Sequence, residues 1–270
     1  SSSSSSSVVP LRRTVVLMRH SESIWNAHGP KRVKGLVDSQ LTLRGFKQAQ
    51  ELGKELKRWC ILEQLGIKLI VVSPLMRVLQ TYMHMLRWYG QRPGVRVVVD
   101  HRVTEQLVGT AHIGTPLSAL KAEFAEPSLA FSPDMPEVWW FQPPPPAAAA
   151  SFGKGDNAST TEQVNAKKLN VLEQPFEKSA VKQSLQNMPT PVCKEPKASV
   201  KLRVMKFKAW LRQQEETGVL VLSSGLFCRT YLDRTDDKSL FCTALSANIH
   251  TEGPVVPEIM APNMENPNSS

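Results

Sequence analysis

The chain has 270 residues, 41% of them hydrophobic, and a formal net charge of +9, so it can bury one good core with room for an appendage. No run reaches the roughly 18 uninterrupted apolar residues that span a membrane, which argues against a membrane-spanning protein. The charge is concentrated at the front, where residues 1–110 hold 17 Lys and Arg against 7 Asp and Glu. A basic region of this kind suits an anionic small substrate or a nucleic-acid backbone, but no nucleic-acid motif accompanies it.

The composition of both ends predicts tails outside the folded part. Residues 1–13 begin with seven serines and are predicted to be a disordered tail, with an organellar targeting segment as the alternative. Residues 253–270 are rich in Pro and Asn and are predicted to be a second tail. The four cysteines show neither CxxC spacing nor metal-ligand spacing with histidine. We therefore expect reduced thiols in an intracellular, cytoplasmic protein without a metal site.

Strand and helix signals alternate through the first hundred residues. β-branched runs predict three strands, at 14–18, 68–72 and 95–99. Thr42 is a good N-cap for a helix at 43–59, whose apolar residues recur at helical spacing. Ser73 is predicted to cap a second helix that starts at Pro74 and stops at Gly90. The alternation predicts an α/β fold, a three-layer sandwich whose mostly parallel sheet is flanked by helices.

The pattern breaks at about residue 143. From there to about 198 a PPPPAAAA run and a polar, Lys-rich tract show no sustained apolar period, which predicts a low-complexity insertion. Order is predicted to return with a helix at 200–216, a strand at 218–222 and a helix that starts in the segment SSGLFCRTYL. Because that strand needs a sheet to join, the insertion is predicted to interrupt a single domain, residues 14–252.

Polar side chains follow four of the predicted strands. In chain order they are Arg19 and His20, then Ser73 and Arg77, then Glu105, then Ser223, Ser224 and Gly225. Ligands of such sheets bind beyond the carboxyl ends of the strands, so we expect these residues at one edge. Two guanidinium groups beside helix N-termini suit a tetrahedral dianion such as phosphate. A neutral imidazole among them is a nucleophile or a base.

Four segments in register resemble the motifs of one family. RHSESIWN resembles the RHG-E-S/T-x-x-N motif of the histidine phosphatase superfamily, the phosphoglycerate mutase-like proteins. GLVDSQLTLRGFKQAQELG is similar to G-x-x-D-x-x-L-T-x-x-G-x-x-Q-A-x-x-L-G, and SPLMRVLQT to S-P-L-x-R-x-x-Q-T. TEQLVG supplies an acid with a glycine four residues later. The resemblance covers about residues 14–110 and 200–250 and implies the phosphoglycerate mutase-like fold.

The resemblance implies a phosphomonoesterase that works through a covalent phosphohistidine. His20 would attack the phosphorus atom, and Glu105 would protonate the leaving oxygen. The implied phosphate-binding residues are Arg19, Arg77, Asn26 and Ser23. No metal or organic cofactor is implied, because such transfer rests on positioning and electrostatic stabilisation.

Two positions depart from the family pattern. Ser21 replaces the glycine of RHG, a small change beside the implied phosphate site. Ser224 replaces the family's second catalytic histidine at the end of the last strand, where the family has V-x-S-H-G. A hydroxyl is shorter than an imidazole and cannot carry a positive charge. Loss of one preorganised transition-state donor commonly costs about 10²–10³ in rate.

The favoured hypothesis is a phosphatase that acts on a small anionic phosphorylated substrate through phospho-His20, with activity weakened or lost because of Ser224. The alternative is a catalytically inactive relative that binds phosphorylated ligands or a partner protein. Mutase activity and specific nucleic-acid binding are less favoured, and no membrane partner is predicted. Substrate choice is expected to come from the loops around 111–142.

Several of these residues have simpler interpretations that stay open. Glu105 pairs with a basic neighbour in one of them, and Asn26 merely caps the turn. Trp139 and Trp140 are interpreted as core or as a lid over the pocket. The other histidines are interpreted as ordinary turn, helix-face or loop residues: His28, His84, His101, His112 and His250. A move of one of them into the space left at Ser224 is disfavoured, and is least disfavoured for His250.

Overall fold

The computed structural model describes residues 13–32, 35–143, 193–233 and 248–251. The predicted tails and nearly all of the predicted insertion lie outside these ranges. Arg13, assigned to the tail, is an exception, since its side chain is buried and its Nε donates to the Glu216 carbonyl at 2.9 Å. No helix within the described ranges combines the length and the apolar composition needed to cross a bilayer.

The described strands form one sheet in the order β4-β3-β2-β5-β1-β6. They are β1 (Thr14–Arg19), β2 (Ile67–Val72), β3 (Arg96–Val99), β4 (Leu129–Phe131), β5 (Gly218–Ser223) and β6 (Asn248–Thr251). The first five are parallel to their neighbours, and β6 runs antiparallel to β1 at the edge. The prediction of an α/β fold with a mostly parallel sheet is therefore confirmed.

Helices flank the sheet on both faces. They are α1 (Ile24–Arg32), α2 (Leu43–Arg58), α3 (Ile61–Gln64), α4 (Met76–Met85), α5 (Arg87–Gly90), α6 (Leu117–Glu123), α7 (Lys197–Arg212) and α8 (Gly225–Tyr231). Two 3₁₀ turns, His101–Val103 and Thr110–His112, follow β3. The helix predicted to run to Gly90 is divided at Leu86, and α7 begins three residues before the predicted position. Both α1 and α6 were missed by the sequence patterns.

The strands read as continuous apolar runs because both of their faces are buried. In β1, Val16 and Met18 face the core under α2 and α4. Val15 and Leu17 face the opposite core, under α7 and α8. Successive side chains of a strand point to opposite faces, so a sheet covered on both sides tolerates no polar alternation.

The strand that follows the insertion lies inside the sheet. β5 pairs with β1 on one side and with β2 on the other, although about 145 residues of chain separate it from β2. β5 therefore completes a sheet that the first hundred residues begin. That the insertion interrupts one domain stays a prediction, and this arrangement is consistent with it.

The start of α4 is capped differently from the prediction. Ser73 makes no cap: the helix begins at Met76, and the Met76 N–H donates to Asp38 Oδ1 at 2.9 Å. Asp38 also accepts from the Thr115 N–H and Oγ–H, both at 2.8 Å. A carboxylate that is remote in sequence thus fixes both the helix and the loop beyond it, which local cap rules cannot find.

Candidate active site

His20 lies at the end of β1 with a defined tautomer. Its ring is 4% exposed, and its Nδ1 lies 2.7 Å from the Ser21 carbonyl oxygen. A carbonyl only accepts, so Nδ1 carries the proton and Nε2 carries the lone pair. Nε2 accepts a hydrogen bond from Arg77 Nε at 3.1 Å. Burial and the charges of Arg77 and Arg19 hold the pKa of His20 well below its usual range, which keeps the ring neutral at pH 7.

Arg77 projects from the first turn of α4 and is 2% exposed. Its Nη1 donates to the Ala111 carbonyl at 3.2 Å. Burial lowers the pKa of Arg77, and the nearby carboxylates of Glu105 and Asp38 oppose that shift. Two negative groups therefore stabilise one buried guanidinium directly beside the lone pair of His20.

Arg19 is the last residue of β1 and approaches the start of α8. A Cβ placed on Gly225 would lie 3.6 Å from Arg19 Cδ and Nε. The charge of Arg19 also lowers the pKa of His20, after burial and Arg77. The structure thus brings the two predicted arginines together around His20.

Glu105 lies on the loop after β3, and a residue of α7 binds the backbone of this loop. Arg203 of α7 donates to the Thr104 carbonyl at 2.9 Å and to the Glu105 carbonyl at 3.3 Å. Arg203 is itself paired at 3.1 Å with Glu195, which is 1% exposed and also accepts from the Leu107 N–H at 3.1 Å. The ion pair therefore fixes the loop that carries the candidate acid, a role that the sequence did not indicate for Glu195, which lies inside the predicted insertion.

Ser23 and Asn26 bond to each other. Ser23 Oγ donates to Asn26 Oδ1 at 2.8 Å, and the Asn26 N–H donates to Ser23 Oγ at 3.2 Å. Together they form a reciprocal cap at the start of α1. Their binding of phosphate stays a prediction, and the geometry agrees with the simpler interpretation that Asn26 caps the turn.

Ser224 is the N-cap of α8. It is fully buried, and its Oγ accepts from the Phe227 N–H at 3.4 Å. The neighbouring Ser223 Oγ donates to the Val103 carbonyl and ties the end of β5 to the turn after β3. The hydroxyl at the position of the family's second histidine is therefore engaged by the backbone of its own helix.

Three buried polar atoms at this edge of the sheet have no hydrogen-bond partner among the described residues. They are Ser21 Oγ, Ser73 Oγ and His112 Nδ1. Buried polar atoms are nearly always paired in folded proteins, so a cluster of orphans marks a place where a polar ligand fits. Within the same ranges, no group of three or more His, Cys, Asp or Glu residues is arranged to hold a metal ion.

Two residues of the candidate site, Asp38 and His112, were not identified as site residues from the sequence. Burial raises the pKa of Asp38 to about 6, although three hydrogen bonds favour its carboxylate. The aspartate of the G-x-x-D motif was a signal for it. His112 was interpreted as an ordinary loop residue, but it is buried and its charge acts on His20. No local signal marks it.

Comparison with protein families gives one match. The model of the histidine phosphatase superfamily (branch 1) matches residues 15–152, about half of the chain. Phosphoglycerate mutase-like protein 2 of Arabidopsis thaliana is 37% identical over 98 residues, which are 34% of this chain and 28% of the relative. Phosphoserine phosphatase 1 of Hydrogenobacter thermophilus is 38% identical over 91 residues, 34% of this chain and 37% of the relative. The chain therefore spans well under half the length of these relatives.

Solved structures with similar folds were also found. Bacillus stearothermophilus YhfR is 19% identical with a TM-score of 0.43, covering 85% of this chain and 84% of that chain. The ecdysone phosphate phosphatase of Bombix mori is 14% identical with a TM-score of 0.43, covering 94% of this chain and 85% of that chain.

Proposed function

The chain belongs to the histidine phosphatase superfamily, and we propose that it hydrolyses phosphomonoesters through a phosphohistidine formed on His20. The observation that carries the proposal is the geometry of that ring. Nδ1 is protonated towards the Ser21 carbonyl, and the Nε2 lone pair lies 3.1 Å from the Arg77 guanidinium. A neutral imidazole of fixed tautomer beside a buried cation is suited to attack an anionic phosphoryl group.

In the first step the His20 Nε2 lone pair forms a bond to phosphorus, and the bond from phosphorus to the leaving oxygen breaks. Arg77 moves its hydrogen bond from Nε2 to a phosphoryl oxygen as the substrate arrives, and Arg19 binds a second oxygen. Glu105 takes up the proton of a monoanionic phosphoryl group as the substrate arrives and transfers that proton to the leaving oxygen. Each charge-assisted hydrogen bond contributes about 1.5–3 kcal/mol, so positioning and electrostatics supply most of the rate.

In the second step water attacks phosphorus and the bond to Nε2 breaks. The Glu105 carboxylate accepts a proton from the attacking water, and His20 returns to its neutral form. The products are inorganic phosphate and free enzyme. The substrate is a small phosphomonoester, a proposal supported by the phosphoserine phosphatase named among the similar proteins.

A second candidate function is supported by Ser224. Its hydroxyl caps α8 and is fully buried, so it offers no replacement for an imidazole at that position. A relative that binds phosphorylated ligands through Arg19 and Arg77, without turnover, is consistent with that geometry.

Hydrolysis of para-nitrophenyl phosphate by the parent chain, His20→Ala and Ser224→His distinguishes the two candidates. The phosphatase predicts turnover by the parent that falls to background in His20→Ala, with acid-labile phosphate trapped on the parent alone. The binding protein predicts an inactive parent that still binds inorganic phosphate. Activity gained in Ser224→His alone would assign the loss to position 224. Activity that survives in His20→Ala would contradict the phosphohistidine.

A further inference from the structure

His112 ends the 3₁₀ turn Thr110–His112, on the loop beyond Glu105, and is 7% exposed. The loop is attached to the candidate active site, because the Ala111 carbonyl accepts a hydrogen bond from Arg77 Nη1 at 3.2 Å. The ring packs edge-on against Trp25, with 5.3 Å between ring centroids. Its position is therefore set by the same guanidinium that contacts His20.

The polar surroundings of His112 are those of the candidate active site. Burial and the charge of Arg77 lower the pKa of His112 to about 4, and Glu105 opposes them. His112 in turn lowers the pKa of His20, although less than burial, Arg77 and Arg19 do. Its Nδ1 is buried and makes no hydrogen bond of normal length among the described residues, although a weaker interaction with the Gly109 backbone raises the pKa of His112. A histidine that only packed against Trp25 would leave this buried nitrogen without a normal hydrogen bond, at a cost in stability.

We propose that His112 supplies the second imidazole of the site and donates an N–H hydrogen bond to the phosphoryl group transferred to His20. The inference rests on the proposed phosphatase function and deepens it. It assigns to a loop residue the role that the family's second histidine performs at position 224. Ser224 cannot perform it, because its hydroxyl is committed to the cap of α8.

The chemistry requires no extra reactant. A neutral imidazole carries one N–H, which is sufficient for one hydrogen bond to a phosphoryl oxygen. A bound dianion offsets the positive charge of Arg77 and makes protonation of His112 easier, so the donor strengthens as the substrate binds. Burial removes water from the site and makes such a donor worth more than it is in solvent.

The test compares kcat and KM for para-nitrophenyl phosphate in the parent, His20→Ala, His112→Ala and His112→Asn. His84→Ala is the control, because His84 is an exposed imidazole of α4 that packs edge-on against Phe46 of α2. We expect kcat to fall by about 10²–10³ in His112→Ala, with KM within about threefold of the parent. His112→Asn, which keeps an N–H donor, should lose less.

Added imidazole provides a readout that a structural role would not move. It should restore at least about tenfold of the lost rate in His112→Ala and leave His84→Ala and His20→Ala unchanged. His112→Asn carries the comparison if His112→Ala fails to fold, which thermal unfolding reveals.

Failure of the inference can be distinguished from failure of the proposed function. An active parent, an inactive His20→Ala and a His112→Ala variant as active as the His84→Ala control would overturn the inference and leave the phosphatase standing. A loss that imidazole does not relieve and that follows a lowered Tm would assign a packing role to His112 and overturn it equally. An inactive parent would overturn the proposed function and this inference together.

Discussion

The ends of β1 and β5 are neighbours in the sheet, with Arg19 in register with Ser223, yet their side chains serve different purposes. After β1, the His20 ring presents its Nε2 lone pair to Arg77, and its Nδ1–H donates to the Ser21 carbonyl. After β5, the Ser224 hydroxyl satisfies the first turn of α8. The end of β1 therefore carries a side chain placed for nucleophilic attack, and the end of β5 carries a side chain that stabilises a helix.

The difference shows that an active site can lose one functional side chain while the arrangement of the remaining side chains is kept. Serine is among the best N-caps, and histidine is not. A serine at position 224 therefore favours α8 locally while it removes an imidazole from the site. The arrangement around His20 is kept because other elements, α4 and the loop after β3, provide its contacts.

The largest effect is expected from Arg77. Arg77→Ala should lower kcat/KM by about 10²–10³, because it removes a buried donor next to the transferred group. Arg77→Lys should remain impaired, since an ammonium lacks the planar fork that contacts both His20 and Ala111. Steady-state kinetics with para-nitrophenyl phosphate measures both. Arg44→Ala is the control, with a side chain that is 76% exposed, and equal losses in the two Ala variants would contradict the assignment.

A second prediction concerns the loop that faces both strand ends. Arg203→Ala should lower the free energy of unfolding by about 3 kcal/mol, because it leaves the buried Glu195 carboxylate unpaired. The lower end of the usual range is expected, since the Arg203 side chain is 17% exposed. Urea unfolding measures the change. In the double variant with Glu195→Gln much of the loss should be recovered, and strict additivity of the two substitutions would disprove the coupling.

A third prediction tests how closely His112 shares the environment of the β1 end. Its pKa is about 4 in the folded chain against 6.5 normally, so between these values the unfolded chain binds a proton that the folded chain does not. Stability should therefore fall as the pH drops from 6.5 to 4, by up to about 3 kcal/mol from this group.

Denaturant unfolding of the parent and of His112→Asn across that pH range measures this contribution as a difference of slopes. Asp38 has the opposite sign, because its pKa is raised to about 6 and its protonation favours the folded state on acidification. Both proteins contain Asp38, so its effect cancels. If the free energies of unfolding of the two proteins depend on pH in the same way, the low pKa of His112 is contradicted.

The smallest effect is expected at the other strand end. Ser224→Ala should lower the free energy of unfolding by about 1 kcal/mol through loss of the cap, and Ser224→Gly by only a few tenths. Neither variant should change kcat by more than about threefold, because the hydroxyl acts on α8. Thermal unfolding and kinetics on the same samples measure both quantities. A large loss of rate without a loss of stability would show that Ser224 takes part in the reaction.

Local patterns predicted the central strands well because those strands are buried on both faces and read as unbroken apolar runs. They failed for β4, which has three residues and is too short for a period to show. They also failed for the cap of α4. Ser73 is the nearest candidate in sequence, but Asp38 reaches Met76 from 38 residues away.

The sequence by itself determined the fold class and which residues follow each strand, including His20, Arg77 and Glu105, because backbone periodicity and strand ends are local properties. Only the tertiary structure decided what those side chains do. The hydrogen bond to the Nε2 lone pair of His20 comes from Arg77, 57 residues away. The Glu105 loop depends on Arg203, and the environment of His112 depends on charges from other elements. Hydrogen bonds and electrostatic interactions act through space, so a residue's chemistry is set by neighbours that its sequence position does not reveal.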